Sequence, residues 1–158
     1  LVTDEIVIGL IEKKLTNEEN EIGFIFDGFP RTLAQADALG KLLELVGHKI
    51  DHVFELFVDD EKLVQRIIGR FSCQSCGELY HKITKLPKKA RICDACGAMD
   101  NFNYRQDDNE DSLKIRLLAY YRDTSPLIGY YYVLNTLRKV NGLGTVNEIQ
   151  DEIRSIIL

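Results

Sequence analysis

Apolar residues recur at helical spacing from Ile6 through Val7, Leu10 and Ile11 to Leu15, directly behind Thr3-Asp4-Glu5. A capping residue followed by two acids suits the positive end of a helix, so an amphipathic helix is predicted there. Residues 17–21 break the pattern. Gly23-Phe24-Ile25-Phe26 is then an unbroken apolar run closed by Asp27-Gly28. It predicts a strand buried on both faces, as in a parallel sheet, with a carboxylate at its carboxyl end. Thr32-Leu33-Ala34-Gln35 has the form of a capping box, and Ala36, Leu39, Leu42, Leu43 and Val46 continue as a helix that stops at Gly47. A second strand is predicted over 53–58, followed by a helix behind Asp59 that carries Leu63, Val64, Ile67 and Ile68. This β-α-β-α alternation favours an α/β fold with a mainly parallel sheet, in which ligands bind beyond the carboxyl ends of the strands.

The periodicity disappears from Phe71 to about Asn103, where four Cys, several Gly and Pro residues and a run of Lys replace it, as in an inserted minidomain. Helical spacing returns at Leu113, Leu117 and Leu118. It is expected to continue past Pro126 through Leu127, Tyr131, Leu134 and Leu137 and to end near Asn141-Gly142. A short strand is predicted around Thr145-Val146, then a helix after Asn147 with Ile149, Ile153, Ile156 and Ile157 on one face.

Within the insert, Cys73-x2-Cys76 and Cys93-x2-Cys96 have the spacing of a tetrahedral four-thiolate metal site, with Gly77 and Gly97 where a tight knuckle needs permissive dihedrals. Four protein ligands leave no open position for chemistry, so the metal is structural. Zinc is the expectation, iron suits the same sulfur geometry, and two disulfides or four core thiols are the bland alternatives. Lys82, Lys85, Lys88, Lys89 and Arg91 lie between the pairs and would offset the anionic cluster.

Composition narrows the class. With 158 residues, 45% apolar and a net charge of −5, the chain has enough material for one real core and lacks the positive field that nucleic acid or an anionic membrane demands. No apolar run approaches the ~20 residues of a membrane span, and no secretion signal is apparent, so a soluble cytoplasmic protein with neither nucleic-acid nor membrane partner is expected. The first residue is Leu1 and the single Met is Met99, which points to a natural start further upstream.

Arg31, Arg66, Arg70, Arg105, Arg116 and Arg122 lie near the ends of predicted elements or at the borders of the insert. Arg66 and Arg70 are expected to share one helix face at i, i+4. Guanidinium groups that converge from several elements suit a polyphosphate, because the planar fork engages two oxygens at once and stays charged.

Taken together, the motifs Gly23-Phe-Ile-Phe-Asp-Gly-Phe-Pro-Arg-Thr32, Gly69-Arg70, Leu79-Tyr80-His81, Tyr104-Arg105-Gln106-Asp107-Asp108, Arg116 and Thr124-Ser-Pro-Leu-Ile-Gly-Tyr-Tyr131 resemble the nucleoside monophosphate kinases. With Gln35, the resemblance is to the adenylate kinases in particular. It implies a P-loop-kinase-like parallel sheet flanked by helices, with a small zinc-binding lid insert. It divides the chain into a core at 1–70, with the end of the AMP-binding region at 1–16, a lid at 71–106 and a returning core at 107–158. It also implies reversible phosphoryl transfer from ATP to AMP, giving two ADP, with Mg2+ as cofactor, structural Zn2+ in the lid, and a monomer when complete.

Residue by residue, the resemblance implies that Arg70, with Arg66 beside it, holds the ATP phosphates, while Leu79, Tyr80 and Gly144 meet the ATP base. Gly28, Arg31 and Gln35 form the AMP turn, with Arg31 on the phosphate and Gln35 reading the base, and Leu1, Val2 and Val7 wall that base. Arg105 and Arg116 bridge the two phosphate chains, Asp27 orders Mg2+ through water, and Asp107 and Asp108 support lid closure. Cys73, Cys76, Cys93 and Cys96 hold the zinc. Phosphoryl transfer asks mainly for positioning and charge stabilisation, so arginines and one metal-ordering carboxylate suffice without a covalent nucleophile.

One element of the family pattern does not occur: there is no G-x-x-x-x-G-K-[ST] in these 158 residues, and Gly142-Leu-Gly-Thr145 has no lysine. A polypeptide of these residues alone is therefore expected to be nearly inactive and poorly stable. Measurable turnover by a chain verified at 18.1 kDa would contradict that expectation. Two other readings stay open from sequence: a GTP:AMP phosphotransferase, which changes only the donor base site, and a non-catalytic zinc-binding fragment. The intact set Asp27, Arg31, Arg70, Arg105 and Arg116 argues against the fragment.

Overall fold

The computed structural model describes residues 3–16 and 23–158. It divides into two compact units, one of residues 1–57 and 118–158 and one of residues 58–117.

In the first unit, α1 (Asp4–Leu15) begins behind Thr3, with Asp4 and Glu5 in its first turn. Helix α2 (Leu33–Leu45) is capped by the Thr32 hydroxyl, which accepts from the Gln35 N–H at 3.2 Å. The helix ends at Gly47, whose φ of +74° suits a residue without Cβ, and the His48 N–H returns to the Leu43 carbonyl. Leu15, Leu39, Leu42 and Leu43 form a buried cluster, packed by Ile8, Ile11, Phe24, Phe26 and Phe29.

Strand β1 (Val53–Phe57) pairs in parallel with the last strand of the chain (Leu137–Asn141), in register from Val53 opposite Leu137 to Phe57 opposite Asn141. Ala36, Leu127 and Tyr131 form a second buried cluster, against which Val53 and Leu137 pack, so helices cover the parallel pair. The fold is α/β, with a parallel sheet flanked by helices.

Several expectations change here. Residues 23–26 form no strand, because a strand exists only through ladder bonds and none of the described strands pairs with this segment. The segment is not buried on both faces either: Phe24 and Phe26 pack on the α2 cluster while Ile25 is 97% exposed. The helix expected to run past Pro126 is interrupted. It comprises α4 (Glu110–Ala119), a π-helical turn (Tyr120–Thr124) and α5 (Pro126–Val133). Pro126 has no N–H and opens α5 as a first-turn residue, and the wider turn before it is closed by the Ser125 N–H on the Tyr120 carbonyl.

Helix α5 stops where Asn135 takes a left-handed φ of 58°, and residues 137–141 are strand rather than helix. The expected strand at Thr145-Val146 is instead the start of α6 (Val146–Ile157). Thr145 and Glu148 complete a reciprocal capping box, and α6 lies beside the 137–141 strand.

The second unit starts with α3 (Asp60–Ile68), capped by the Asp59 carboxylate, which accepts from the Glu61 and Lys62 N–H groups. A three-stranded antiparallel sheet follows, with β2 (Arg70–Cys73) central between β3 (Leu79–His81) and β4 (Phe102–Asn103). The 137–141 strand is accordingly β5. The small core of this unit is Phe71, Cys73, Tyr80 and Cys93, with Ala98 and Phe102 against it. Helix α3 ends at Gly69, so Arg70 leads a strand and shares no helix face with Arg66, contrary to the i, i+4 expectation.

The turn at Gly69 is held by His81. Its Nδ1 accepts from the Ile83 and Thr84 N–H groups, so the ring proton sits on Nε2 and is donated to the Gln65 carbonyl at 3.1 Å. A Cβ at Gly69 would lie 2.2 Å from that ring. Gly69→Ala is therefore expected to destabilise this unit by about 1–3 kcal/mol, read by thermal unfolding. An unchanged midpoint would show that the ring moves aside freely. No helix among the described residues is long and apolar enough to cross a membrane.

Candidate functional site

In the second unit, the four cysteine sulfurs lie within 4.8 Å of one another. Cys73 and Cys96 are 3.6 Å apart, as are Cys76 and Cys93. A disulfide needs about 2.05 Å, whereas thiolates 2.3 Å from one tetrahedral ion stand roughly 3.8 Å apart. The sulfurs are spaced for a shared cation and all four thiols are free.

The surroundings favour thiolate at one of them. Tyr80 is 2% exposed, and its hydroxyl donates to the Cys93 Sγ at 3.4 Å while accepting from the Asp94 N–H at 2.7 Å. That hydroxyl, with the Cys96 and Ala95 N–H groups, brings the Cys93 thiol down to about 6. Burial and the same bond push the Tyr80 hydroxyl up to about 12. At Cys76 an N–H from Glu78 favours thiolate, but the neighbouring Cys96 sulfur, with smaller contributions from desolvation and from Cys93 and Cys73, outweighs it and pushes the thiol up to about 12. Four free thiols at this spacing form a donor set that fits a four-thiolate metal.

The role of Tyr80 could not be read from spacing. Its ring is stacked on Phe71, with centroids 5.5 Å apart, and offers no face to a base. Leu79 beside it is 64% exposed.

The arginines of this unit are gathered by two neighbouring acids. Arg70 makes a two-pronged bond to Asp108, Nε to Oδ2 at 2.5 Å and Nη2 to Oδ1 at 2.9 Å, and the Asp108 side chain is only 3% exposed. Arg105 forks onto Asp107 at 3.2 and 3.1 Å, and Arg116 donates to the same carboxylate. Three of the four arginines expected in this unit thus converge on Asp107-Asp108. These acids are not merely a solvated pair at the start of α4. Arg66 stands on α3.

In the first unit, the turn at 27–31 is built around Gly28, whose φ is +66°. The Arg31 Nε donates to the Gly28 carbonyl at 2.7 Å, and a Cβ at Gly28 would lie 3.1 Å from Arg31 Nη2. The Thr124 hydroxyl, brought in by the π-helical turn, donates to the Arg31 carbonyl at 2.9 Å.

Gln35 departs from the expected capping box. Its Oε1 accepts from the Arg31 N–H at 2.7 Å, one residue further back than Thr32, and its Nε2 donates to Asp4 Oδ1 at 2.7 Å. Asp27 is exposed at the mouth of the turn, and Val7 is half-buried on α1. Gly144 lies in the turn between β5 and α6, within 3.4 Å of Glu148 by its would-be Cβ. Leu1 and Val2 fall outside the described residues. The sequence marks Asp4 only as an acid at the positive end of a helix, and nothing local signals its bond to a residue 31 positions away.

A model of the adenylate kinase family matches residues 1–136. The adenylate kinase of Paracoccus denitrificans is 55% identical over 157 residues, which is 99% of this chain and 71% of that protein. Those of Allorhizobium ampelinum and Geotalea daltonii are 45% and 46% identical, again over 99% of this chain and 72% of theirs. A family match over residues 1–136, together with relatives 45–55% identical over 99% of the chain, places this chain in the adenylate kinase family.

Proposed function

We propose that this protein catalyses reversible phosphoryl transfer between Mg2+-ATP and AMP, yielding two ADP, with a zinc ion bound for structure. The observation that carries the reading is the turn at 28–35, where one guanidinium and one amide are fixed a few residues apart. Arg31 grips the AMP phosphate by its free guanidinium nitrogens, Gly28 lets that phosphate approach the backbone, and Gln35 reads the base. Val7, with Leu1 and Val2, walls the base. A two-pronged cation and an oriented amide suit a nucleoside monophosphate and little else of that size.

In the other unit, Arg105 and Arg116 bridge the two phosphate chains as charge moves between them. Arg70 and Arg66 take the ATP phosphates, and Leu79 and the Tyr80 backbone meet the ATP base. Gly144, which lies in the first unit, also meets the ATP base. The exposed carboxylate of Asp27 orders the Mg2+ of the substrate through water. Residues 71–106 act as a lid between cores at 1–70 and 107–158. Cys73, Cys76, Cys93 and Cys96 stiffen the lid through zinc, and Asp107 and Asp108 hold Arg70, Arg105 and Arg116 at its borders during closure. A closed lid keeps water from the transferring phosphoryl group.

Steady-state ADP formation in the full-length protein tests this reading. Turnover is expected only when ATP, AMP and Mg2+ are all present. ATP consumption that does not depend on AMP would overturn it.

A further inference from the structure

We infer that Asp4 is a specificity-determining residue: it locks the Gln35 amide against flipping, and so makes the AMP turn accept adenine and reject a 6-oxopurine. The inference rests on the reading that Gln35 meets the base.

A primary amide has four hydrogen-bonding positions, two N–H groups and two lone pairs on oxygen. In Gln35 one of each is taken by a partner that tolerates only one polarity. The Asp4 carboxylate can only accept, and it faces Nε2 at 2.7 Å. The Arg31 backbone N–H can only donate, and it faces Oε1 at 2.7 Å. Rotating the amide by half a turn would set Oε1 against a carboxylate and an N–H against an N–H. The Thr32 cap on the Gln35 N–H fixes the backbone from which the side chain springs. What remains for a ligand is one N–H and one lone pair in a fixed order.

That order has a chemical consequence. Adenine carries an amino donor at position 6, whereas hypoxanthine and guanine carry a carbonyl acceptor there and a hydrogen on N1. A freely turning glutamine reads both polarities, because flipping exchanges its donor and acceptor. A locked one reads a single polarity and leaves the wrong base with an unpaired group. Asp4 touches no substrate in this account. It acts through Gln35 from the first turn of another helix, α1.

The test compares kcat/KM for AMP and for inosine 5′-monophosphate as acceptors, with Mg2+-ATP, in the full-length protein and four variants. Asp4→Asn supplies an amide that can turn to suit either orientation of Gln35, and Asp4→Ala removes the partner. Each is expected to lower the AMP-to-inosine-monophosphate ratio by about tenfold. Gln35→Leu is expected to collapse the ratio. Glu5→Gln, which removes a neighbouring charge from the same exposed helical turn, is expected to leave it unchanged. If both Asp4 variants keep the ratio within about twofold while Gln35→Leu collapses it, the lock is wrong and base reading by Gln35 stands. If Gln35→Leu also keeps the ratio, base reading by this residue fails and the lock fails with it. A parallel drop in Glu5→Gln would assign the effect to helix charge and overturn the role of Asp4.

Discussion

Stripping the metal with a chelator, or replacing Cys93 by serine, is expected to unfold residues 71–106 while the parallel strands and their helices stay folded. The reason is the size of the core in that segment. Among the described residues it consists of Phe71, Cys73, Tyr80 and Cys93, two of which belong to the four-thiolate cluster proposed to hold zinc. A structural four-thiolate zinc contributes on the order of 10 kcal/mol or more, which rivals the ~5–15 kcal/mol that holds a whole domain. The first unit has its own clusters, around Leu39 and around Leu127, and does not depend on the ion.

Cys93 is the cysteine of choice for substitution because it is 1% exposed, so serine there removes a thiolate from the proposed metal site and buries a poorly matched hydroxyl beside Tyr80. Cys76→Ser, at an exposed position, is expected to weaken metal binding with less effect on folding. Calorimetry with hydrogen exchange reads both. The metal-free protein should show an added low-temperature transition, with amide protection lost first in 71–106. Identical melting of the two forms, or loss of the Leu39 cluster first, would contradict this account.

The second large effect is expected at Arg116. Replacing it with alanine should lower kcat by about a thousandfold, with a much smaller change in KM for either nucleotide, because a guanidinium that meets charge developing during phosphoryl transfer contributes mainly in the transition state. Its partner in the structure, Asp107, is 42% exposed and also holds Arg105, so the exposed ion pair itself adds little to stability and the variant should fold. Arg116→Lys should recover only part of the loss, since an ammonium cannot fork onto two phosphate oxygens. Single-turnover kinetics separates the chemical step from release. A kcat within tenfold of the parent protein would remove Arg116 from the reacting centre.

How much of this was legible in the sequence depended on whether the deciding partner was near in the chain. Helices α1, α2, α3 and α6 carry their own period, and Thr32 makes the capping bond expected of it, whereas Thr3 caps α1 without a side-chain bond and Thr145, expected in a strand, caps α6. The cysteine pairs announce themselves by spacing alone. Strand β5 did not, because Leu134 and Leu137 continue the spacing of α5, and what makes 137–141 a strand is the distant edge of β1. The apolar run at 23–26 misled in the opposite sense: it has the composition of a buried strand, and a strand is made by its neighbour.

The site divides in the same way. Arg31, Gln35 and Gly28 lie within one turn and were read together. The convergence of Arg70, Arg105 and Arg116 on Asp107-Asp108 joins residues up to 38 positions apart; the placing of the arginines suggests that they gather, and only the resemblance points to the two acids. The hydroxyl of Tyr80 on Cys93 and the carboxylate of Asp4 on Gln35 had no local signal at all.

Phosphorus NMR of the full-length protein with ATP, AMP and Mg2+ tests the central claim most directly. The resonances of ATP and AMP should fall together while those of ADP grow at two per ATP consumed, with no inorganic phosphate released, and the same mixture should form from ADP alone. Inorganic phosphate in place of ADP, or no change in a sample that is folded and metal-loaded, would contradict phosphoryl transfer between the two nucleotides.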